Sequence, residues 1–166
     1  MNPIGPELLA RLLNEHGAAL VLYARQWCNT PEDVVQEAFL QLIRQERAPD
    51  RVVAWLYRVV RNRGRSMSRS QARRQRHESA ASCHGEPYFL PAEDDALDAA
   101  TASRALDELP IEQRETIVAR LWGGLSFDEI ADLTETSIST AHRRYQAGLA
   151  ALRMRLENPC PQKNET

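Results

Sequence analysis

Apolar residues recur every three or four positions along most of this chain, and this spacing predicts amphipathic helices. A first helix carries an apolar stripe at Leu9, Leu13, Leu20 and Tyr23. No segment alternates apolar and polar residues in the way a half-buried strand would. The pattern therefore predicts an all-α protein.

Two further helices are predicted before residue 77. Thr30 suits an N-cap and Pro31 suits the first helical position, so a second helix should begin there. Its face opposite the apolar one carries Asp33, Gln36, Glu37, Gln41 and Arg44. A polar loop over residues 45–50 then precedes a third helix, which continues into an arginine-rich segment.

Periodicity disappears from about residue 77 to residue 95, where small and polar residues predominate. Such a composition predicts a flexible acidic linker between two small helical domains, each near the lower size limit for independent folding. The predicted boundaries are residues 1–76 for the N-terminal domain, 77–98 for the linker, 99–157 for the C-terminal domain and 158–166 for a polar tail.

The C-terminal domain contains a short helix, a short turn and a long helix, which is the order of a helix-turn-helix. Ser126 and Glu129 have the three-residue spacing of a capping box at the start of the short helix. The side chains expected to reach base edges from the start of the long helix are Ser139, Thr140, His142, Arg143 and Arg144. From the pattern alone, an αα-hairpin with a solvated polar face remains the alternative.

The net charge of −2 conceals a segregation of charge along the chain. Residues 58–76 contain eight arginines and no acidic residue, whereas residues 77–110 contain eight acidic residues and one arginine. One interpretation is a basic surface that meets a polyanion. A solvated basic helix followed by an acidic linker accounts for the charges equally well.

Several classes of protein are disfavoured. No apolar run approaches the roughly 20 residues of a membrane span, and the N-terminus lacks the features of an export signal, so we expect a cytoplasmic protein. Cys28, Cys83 and Cys160 lie far apart, so we expect neither a disulfide framework nor a metal site. No GxSxG, HExxH, P-loop or dinucleotide motif occurs, so we expect neither an enzyme nor a cofactor.

Residues 106–153, LDELPIEQRETIVARLWGGLSFDEIADLTETSISTAHRRYQAGLAALR, resemble the C-terminal DNA-binding domain of the extracytoplasmic-function (ECF) sigma factors. Residues 33–44, DVVQEAFLQLIR, resemble the polymerase-binding helix of that family, and residues 54–62, AWLYRVVRN, resemble its promoter-melting segment. The chain departs from the family at Glu135, where glycine is usual, and after Asn62, where Gly64 and serines replace an aspartate and leucines.

The resemblance implies a transcription initiation factor that binds core RNA polymerase, directs it to −35 and −10 promoter elements and assists promoter melting. It assigns polymerase binding to Asp33, Gln36, Glu37 and Gln41. It assigns the −10 region to Trp55, Arg58, Arg61, Asn62 and Arg65, with the loop before them. It assigns the −35 element to the five residues named above at the start of the long helix.

The partners implied are core RNA polymerase and promoter DNA, with an anti-sigma factor as a further candidate and a monomer as the expected free state. The alternative function is a free-standing helix-turn-helix regulator with an N-terminal effector or dimerisation domain. The eight arginines of residues 58–76 argue against it, because an effector domain has no need of them.

Overall fold

The computed structural model of the chain describes residues 4–76 and 96–157. Within these ranges the chain forms seven α-helices and no strand, so the all-α prediction is confirmed. The helices are α1 (Pro6–Ala24), α2 (Pro31–Ile43), α3 (Val52–Gln75), α4 (Ala96–Asp107), α5 (Ile111–Leu121), α6 (Phe127–Thr134) and α7 (Ile138–Glu157). Most of the predicted linker and the whole predicted tail lie outside the described residues, and α4 begins inside the predicted linker range.

Helices α1, α2 and α3 pack on one another and form the N-lobe. Their apolar faces meet around fully buried residues such as Leu20, Leu42 and Leu56. The predicted stripe of α1 is corrected at one point, because Leu12 is buried and Leu13 is exposed. Helix α2 begins at Pro31 as predicted, although the Thr30 side chain makes no capping hydrogen bond.

Gly64 lies in the middle of α3 and faces Trp27. A Cβ atom at this position would lie 3.2 Å from the Trp27 Cβ, tighter than an ordinary van der Waals contact. The helix continues past the glycine to Gln75 without a break. Gly64 therefore serves close packing between the end of α1 and α3, which offsets its unfavourable helix propensity.

Helices α4 to α7 form the C-lobe, in which α7 packs against each of the other three. A small cluster of Leu106, Leu109 and Ile117 joins α4 to α5, with Tyr145 and Leu152 of α7 against it. Ile138 and Leu156, at the two ends of α7, are 53% and 47% exposed. The inner face of α7 is formed around buried Ala141 and Gly148.

The two lobes share one apolar core. Val118 and Ala119 of α5 and Ile130 of α6 belong to the same buried cluster as Tyr23 and Leu56 of the N-lobe. The lobe contacts are made by α1 against α5 and by α3 against α6. This shared core brings α3, which carries the arginine-rich segment, alongside the helix-turn-helix lobe.

Candidate nucleic-acid interface

Helices α6 and α7 form the predicted helix-turn-helix. The Ser126 backbone N–H donates to the Glu129 carboxylate at 2.9 Å, and the Glu129 backbone N–H donates to the Ser126 hydroxyl oxygen at 3.2 Å. Both bonds of the predicted capping box are therefore present, and they fix where α6 begins. Phe127, the first residue of α6, packs edge-on against Tyr145 of α7 with ring centroids 5.4 Å apart, which helps hold the two helices together.

The turn after α6 contains a left-handed residue. Glu135 has φ 57° and ψ 44° at the C-cap, and it is the one non-glycine residue with positive φ in the described ranges. The Thr136 backbone N–H then donates to the Ala131 carbonyl at 2.9 Å and closes the turn. The turn thus keeps the backbone conformation that glycine adopts without steric cost, although a glutamate occupies it.

Glu135→Gly is expected to raise the free energy of unfolding by about 1 kcal/mol, because glycine removes the Cβ strain of the left-handed conformation. Urea denaturation of the full chain, followed by circular dichroism, measures the change. Glu135→Ala is the matched control, since it removes the same carboxylate and keeps the Cβ. Equal stabilisation by both variants would instead attribute the effect to the charge.

Ser137 caps the start of α7 and holds Thr140. The Thr140 backbone N–H donates to the Ser137 hydroxyl oxygen at 3.1 Å, and the Ser137 hydroxyl donates to the Thr140 hydroxyl oxygen at 2.9 Å. Ala141 faces the core, so residues on the opposite side of α7 face solvent. Ser139 and Arg143 are exposed on the outer face.

The remaining predicted −35 residues have partial protein contacts. His142 is exposed, but its ring packs edge-on against Phe127 with centroids 5.0 Å apart. Thr140 and Arg144 are half-buried. The structure therefore brings all five residues to one end of α7, and the role of each in DNA recognition stays a prediction.

An arginine stripe runs along the exposed face of α3. Of the residues predicted for the −10 region, Arg58, Asn62 and Arg65 are exposed and lie three or four positions apart. The same spacing continues the exposed stripe through residues that we did not assign from the sequence, namely Arg69, Arg73 and Arg76. Because α3 has 24 residues, it spans about 36 Å, enough for an extended cationic track.

Two other predicted −10 residues lie away from this stripe. Trp55 is half-buried and packs against the N-lobe core. Arg61 is only 8% exposed, and its guanidinium forms an ion pair with Glu115 of the C-lobe at 3.0 Å. Burial lowers the pKa of Arg61, while the hydrogen bonds and charge of Glu115 raise it, and the net pKa is raised.

The predicted polymerase-binding residues lie together on one face of α2. Asp33 and Gln36 are exposed, while Glu37 and Gln41 are half-buried and joined by a hydrogen bond of 3.5 Å from the Gln41 amide. Leu40, which is 39% exposed, lies among them. Leu40 is not assigned to this surface from the sequence, although its spacing of three residues from Glu37 indicates that it lies on the same face of α2.

The part of the chain that the structure describes contains no group of three or more His, Cys, Asp or Glu side chains placed to hold a metal ion. In the same residues, no helix is both long enough and apolar enough to span a membrane.

The helix-turn-helix of the C-lobe, with a separate arginine stripe on the N-lobe, defines the chain as a two-lobed DNA-binding protein. The family model for Sigma-70 region 2 matches residues 12–74, and the model for Sigma-70, region 4 matches residues 101–152. The matches fall one in each lobe and together cover more than half of the chain. The chain belongs to the sigma-70 family of RNA polymerase sigma factors, within the extracytoplasmic-function group.

A curated relative supports this membership. The chain is 26% identical over 151 residues to the ECF RNA polymerase sigma-E factor of Haemophilus influenzae, a match that covers 82% of this chain and 79% of that protein. The resemblance inferred from the sequence is therefore confirmed. A free-standing regulator is not favoured, because the N-lobe matches region 2 of a sigma factor.

The fold is also similar to two solved structures. The sigma factor RpoE in complex with the anti-sigma factor NepR from Bartonella quintana superposes with a TM-score of 0.75 at 23% identity, covering 92% of this chain and 98% of that one. CnrH, solved in complex with the cytosolic domain of CnrY, gives a TM-score of 0.65 at 24% identity and covers 93% of this chain and 91% of that one. Both similarities include helices of the two lobes.

Proposed function

We propose that the protein binds core RNA polymerase through α2, reads a −35 element through α7 and holds the −10 region along α3. The proposal depends chiefly on two separate cationic surfaces, one at the start of α7 in the C-lobe and one along α3 in the N-lobe. Two such surfaces could each bind one of two promoter elements that are separated along the DNA. In this role the chain binds and positions, and the polymerase catalyses.

The start of α7 would enter the major groove at the −35 element. Arg143 is exposed there, and a guanidinium pairs in bidentate fashion with the O6 and N7 atoms of guanine. The hydroxyl of Ser139 suits a base or a phosphate. Buried Ala141 holds the opposite side of the helix against the lobe, so the reading side chains are presented from a rigid element.

The stripe along α3 would bind the −10 region through its phosphates. Single-stranded DNA requires a positive track together with aromatic faces or pockets for unstacked bases. The track is supplied by the arginines, whereas Tyr57 is fully buried and Trp55 half-buried, so aromatic stacking would be limited. Asn62, exposed within the stripe, is the side chain we assign to base contact.

The outer face of α2 would contact the polymerase. Its polar residues Asp33, Gln36, Glu37 and Gln41 surround exposed Leu40, and an apolar side chain within a polar rim is the usual arrangement of a binding surface. The relative RpoE was solved with the anti-sigma factor NepR, and we propose a partner of that class for this protein as well. Its proposed location is the cytoplasm, and its proposed free state is a monomer.

Co-migration with bacterial core RNA polymerase in size-exclusion chromatography tests the proposal. A stoichiometric complex that selects promoter DNA is the expected result. Failure to bind core enzyme from the protein's own host, with any inhibitor removed, would contradict the proposed function and would turn the search to operator DNA bound by the free chain.

Glu37→Ala is expected to weaken the affinity for core polymerase roughly fivefold, about 1 kcal/mol, because it removes a carboxylate from the proposed contact face. Binding of labelled protein to core enzyme measures the change. Glu7→Ala removes an exposed carboxylate from α1 instead, and it should bind normally. Unchanged affinity for Glu37→Ala would remove that residue from the interface.

A further inference from the structure

A buried ion pair joins the two lobes. The Arg61 Nε atom of α3 donates to Glu115 Oε2 of α5 at 3.0 Å, and Arg61 Nη2 donates to Oε1 at 3.3 Å. The pairing is bidentate, and the two residues are only 8% and 4% exposed. Both charges are therefore withdrawn from water at the surface where the lobes meet.

The surroundings of the pair are closely packed. The Tyr57 ring of the N-lobe approaches Gly123 of the C-lobe so closely that a Cβ at position 123 would lie 2.6 Å from the Tyr57 hydroxyl oxygen. Tyr23 packs beside Tyr57 with ring centroids 4.8 Å apart. Glycine at position 123 thus permits Tyr57 to enter the C-lobe. Burial raises the pKa of Tyr23 most, and Tyr23 lies close enough to the ion pair that the charge of Glu115 raises this pKa further and the charge of Arg61 lowers it.

A second ion pair joins the lobes at the surface. Arg51 Nη1, just before α3, donates to the Asp128 carboxylate of α6 at 3.1 Å. Both side chains are more than half exposed, so this pair adds little stability by itself. The Arg51–Asp128 pair reports whether the lobes are closed, because the two side chains meet only in the closed arrangement.

The closed arrangement withholds Arg61 from solvent. The nearby stripe residues Arg58, Asn62 and Arg65 are exposed on the same helix. A phosphate therefore reaches those residues in the closed chain but not Arg61, whose donors are directed to Glu115. For Arg61 to contact DNA, Glu115 must leave.

The energetics of a buried ion pair suit a reversible contact. Two charges buried together lose hydration that their mutual attraction must offset, so the pair joins the lobes only while both charges are present. When one partner loses its charge, the other is left buried and uncompensated, which is strongly unfavourable. Closure therefore depends on both charges being present, and opening returns both to water.

We propose that the Arg61–Glu115 pair is an intramolecular latch, which keeps the free chain closed and withholds Arg61 until the phosphates of the −10 region replace Glu115. The assignment of Arg61 to DNA rests on the proposed function. The closed state does not depend on the proposed function, since it is inferred from the contacts between the lobes. The two parts are therefore tested by separate measurements.

Glu115→Gln tests the latch by removing one charge with little change of shape. We expect a larger radius of gyration in small-angle X-ray scattering and a several-fold higher affinity for a short single-stranded DNA in fluorescence anisotropy. The matched control is Glu112→Gln, which removes an exposed carboxylate from the same helix. It should leave the radius of gyration unchanged and alter the DNA affinity by only a small factor.

The outcomes separate the two claims. A radius unchanged in folded Glu115→Gln would overturn the latch. A larger radius with the same DNA affinity as the control would overturn the withholding of Arg61. Failure of the wild-type chain to bind core polymerase would overturn the proposed function and leave the scattering result unaffected.

A cross-linking measurement tests closure without altering the buried pair. Lys163 is the only lysine of the chain, so Arg51→Lys adds one amine, beside Asp128 in the closed state. A carbodiimide should join that amine to Asp128, as mapped by mass spectrometry. Arg47→Lys, in the exposed loop before α3, should give several-fold less linkage to the C-lobe. Equal yields from the two variants would show that the closed state is not populated in solution.

Discussion

Arg143→Ala is expected to lower the affinity of the polymerase complex for −35 duplex DNA by about 1–3 kcal/mol, or roughly 5- to 150-fold. The loss should depend on sequence, because a guanidinium paired with guanine O6 and N7 distinguishes that base from the others. Arg143 is exposed on the outer face of α7, so its removal leaves no cavity in the lobe. Protein stability should be unchanged.

Competition binding against duplexes with single base-pair changes measures the effect, with the preferred sequence first selected from a randomised duplex. Arg153→Ala is the matched control, because it removes an exposed arginine near the other end of the same helix. Equal weakening by Arg143→Ala on every duplex would refute base readout and leave a phosphate contact. If Arg143 contacts a phosphate, Arg143→Ala should also reduce the slope of log affinity against log salt concentration by about one unit.

Alkaline pH is expected to destabilise the chain by about 3 kcal/mol between pH 9 and pH 11 through Tyr23 and Tyr57. Burial, reinforced by the charge of Glu115, raises the pKa of Tyr23 well above its usual value. Burial likewise raises the pKa of Tyr57. Well below pH 10 both hydroxyls are neutral whether the chain is folded or unfolded. As the pH rises through about 10, the tyrosines ionise in the unfolded chain but not in the folded one, so stability falls.

Urea denaturation at a series of pH values measures this loss in wild type and Tyr57→Phe. Buried Cys28 also has a raised pKa, so the informative quantity is the difference between the two proteins. Tyr57→Phe should lose about 1 kcal/mol less by pH 11, since one ionisable group has been removed. Parallel curves would mean that Tyr57 ionises within the folded chain and that the lobes have already separated at high pH.

The elements of this fold could be predicted from the sequence wherever their determinants are local. The capping box of Ser126 and Glu129 and the proline at the start of α2 each act within a single turn, and the structure contains both. The helix-turn-helix followed from these signals and from the periodicity of α7. Even the turn at Glu135 keeps the left-handed backbone for which the family usually has glycine, because the helices on either side require it.

The burial of individual positions within the helices was less predictable. Leu13 and Ile138 match the apolar period, yet both are exposed. The period gives only the direction of a side chain around the helix, whereas burial also requires a neighbouring element that covers it. By propensity alone Gly64 is unfavourable inside a helix, yet the structure packs Trp27 against it. In each case the neighbouring element, and not the residue itself, determined the outcome.

The sequence by itself determined the helices, the capping box of α6, the helix-turn-helix and the family, since these depend on residue types at short spacings. Only the tertiary structure decided which arginines of α3 face solvent. Arg58 and Arg61 are the same residue type, one turn apart on one helix, but the first is exposed and the second is paired with Glu115, 54 residues along the chain. No period connects positions so distant. Their meeting depends on how two lobes pack, and packing is a property of surfaces in three dimensions.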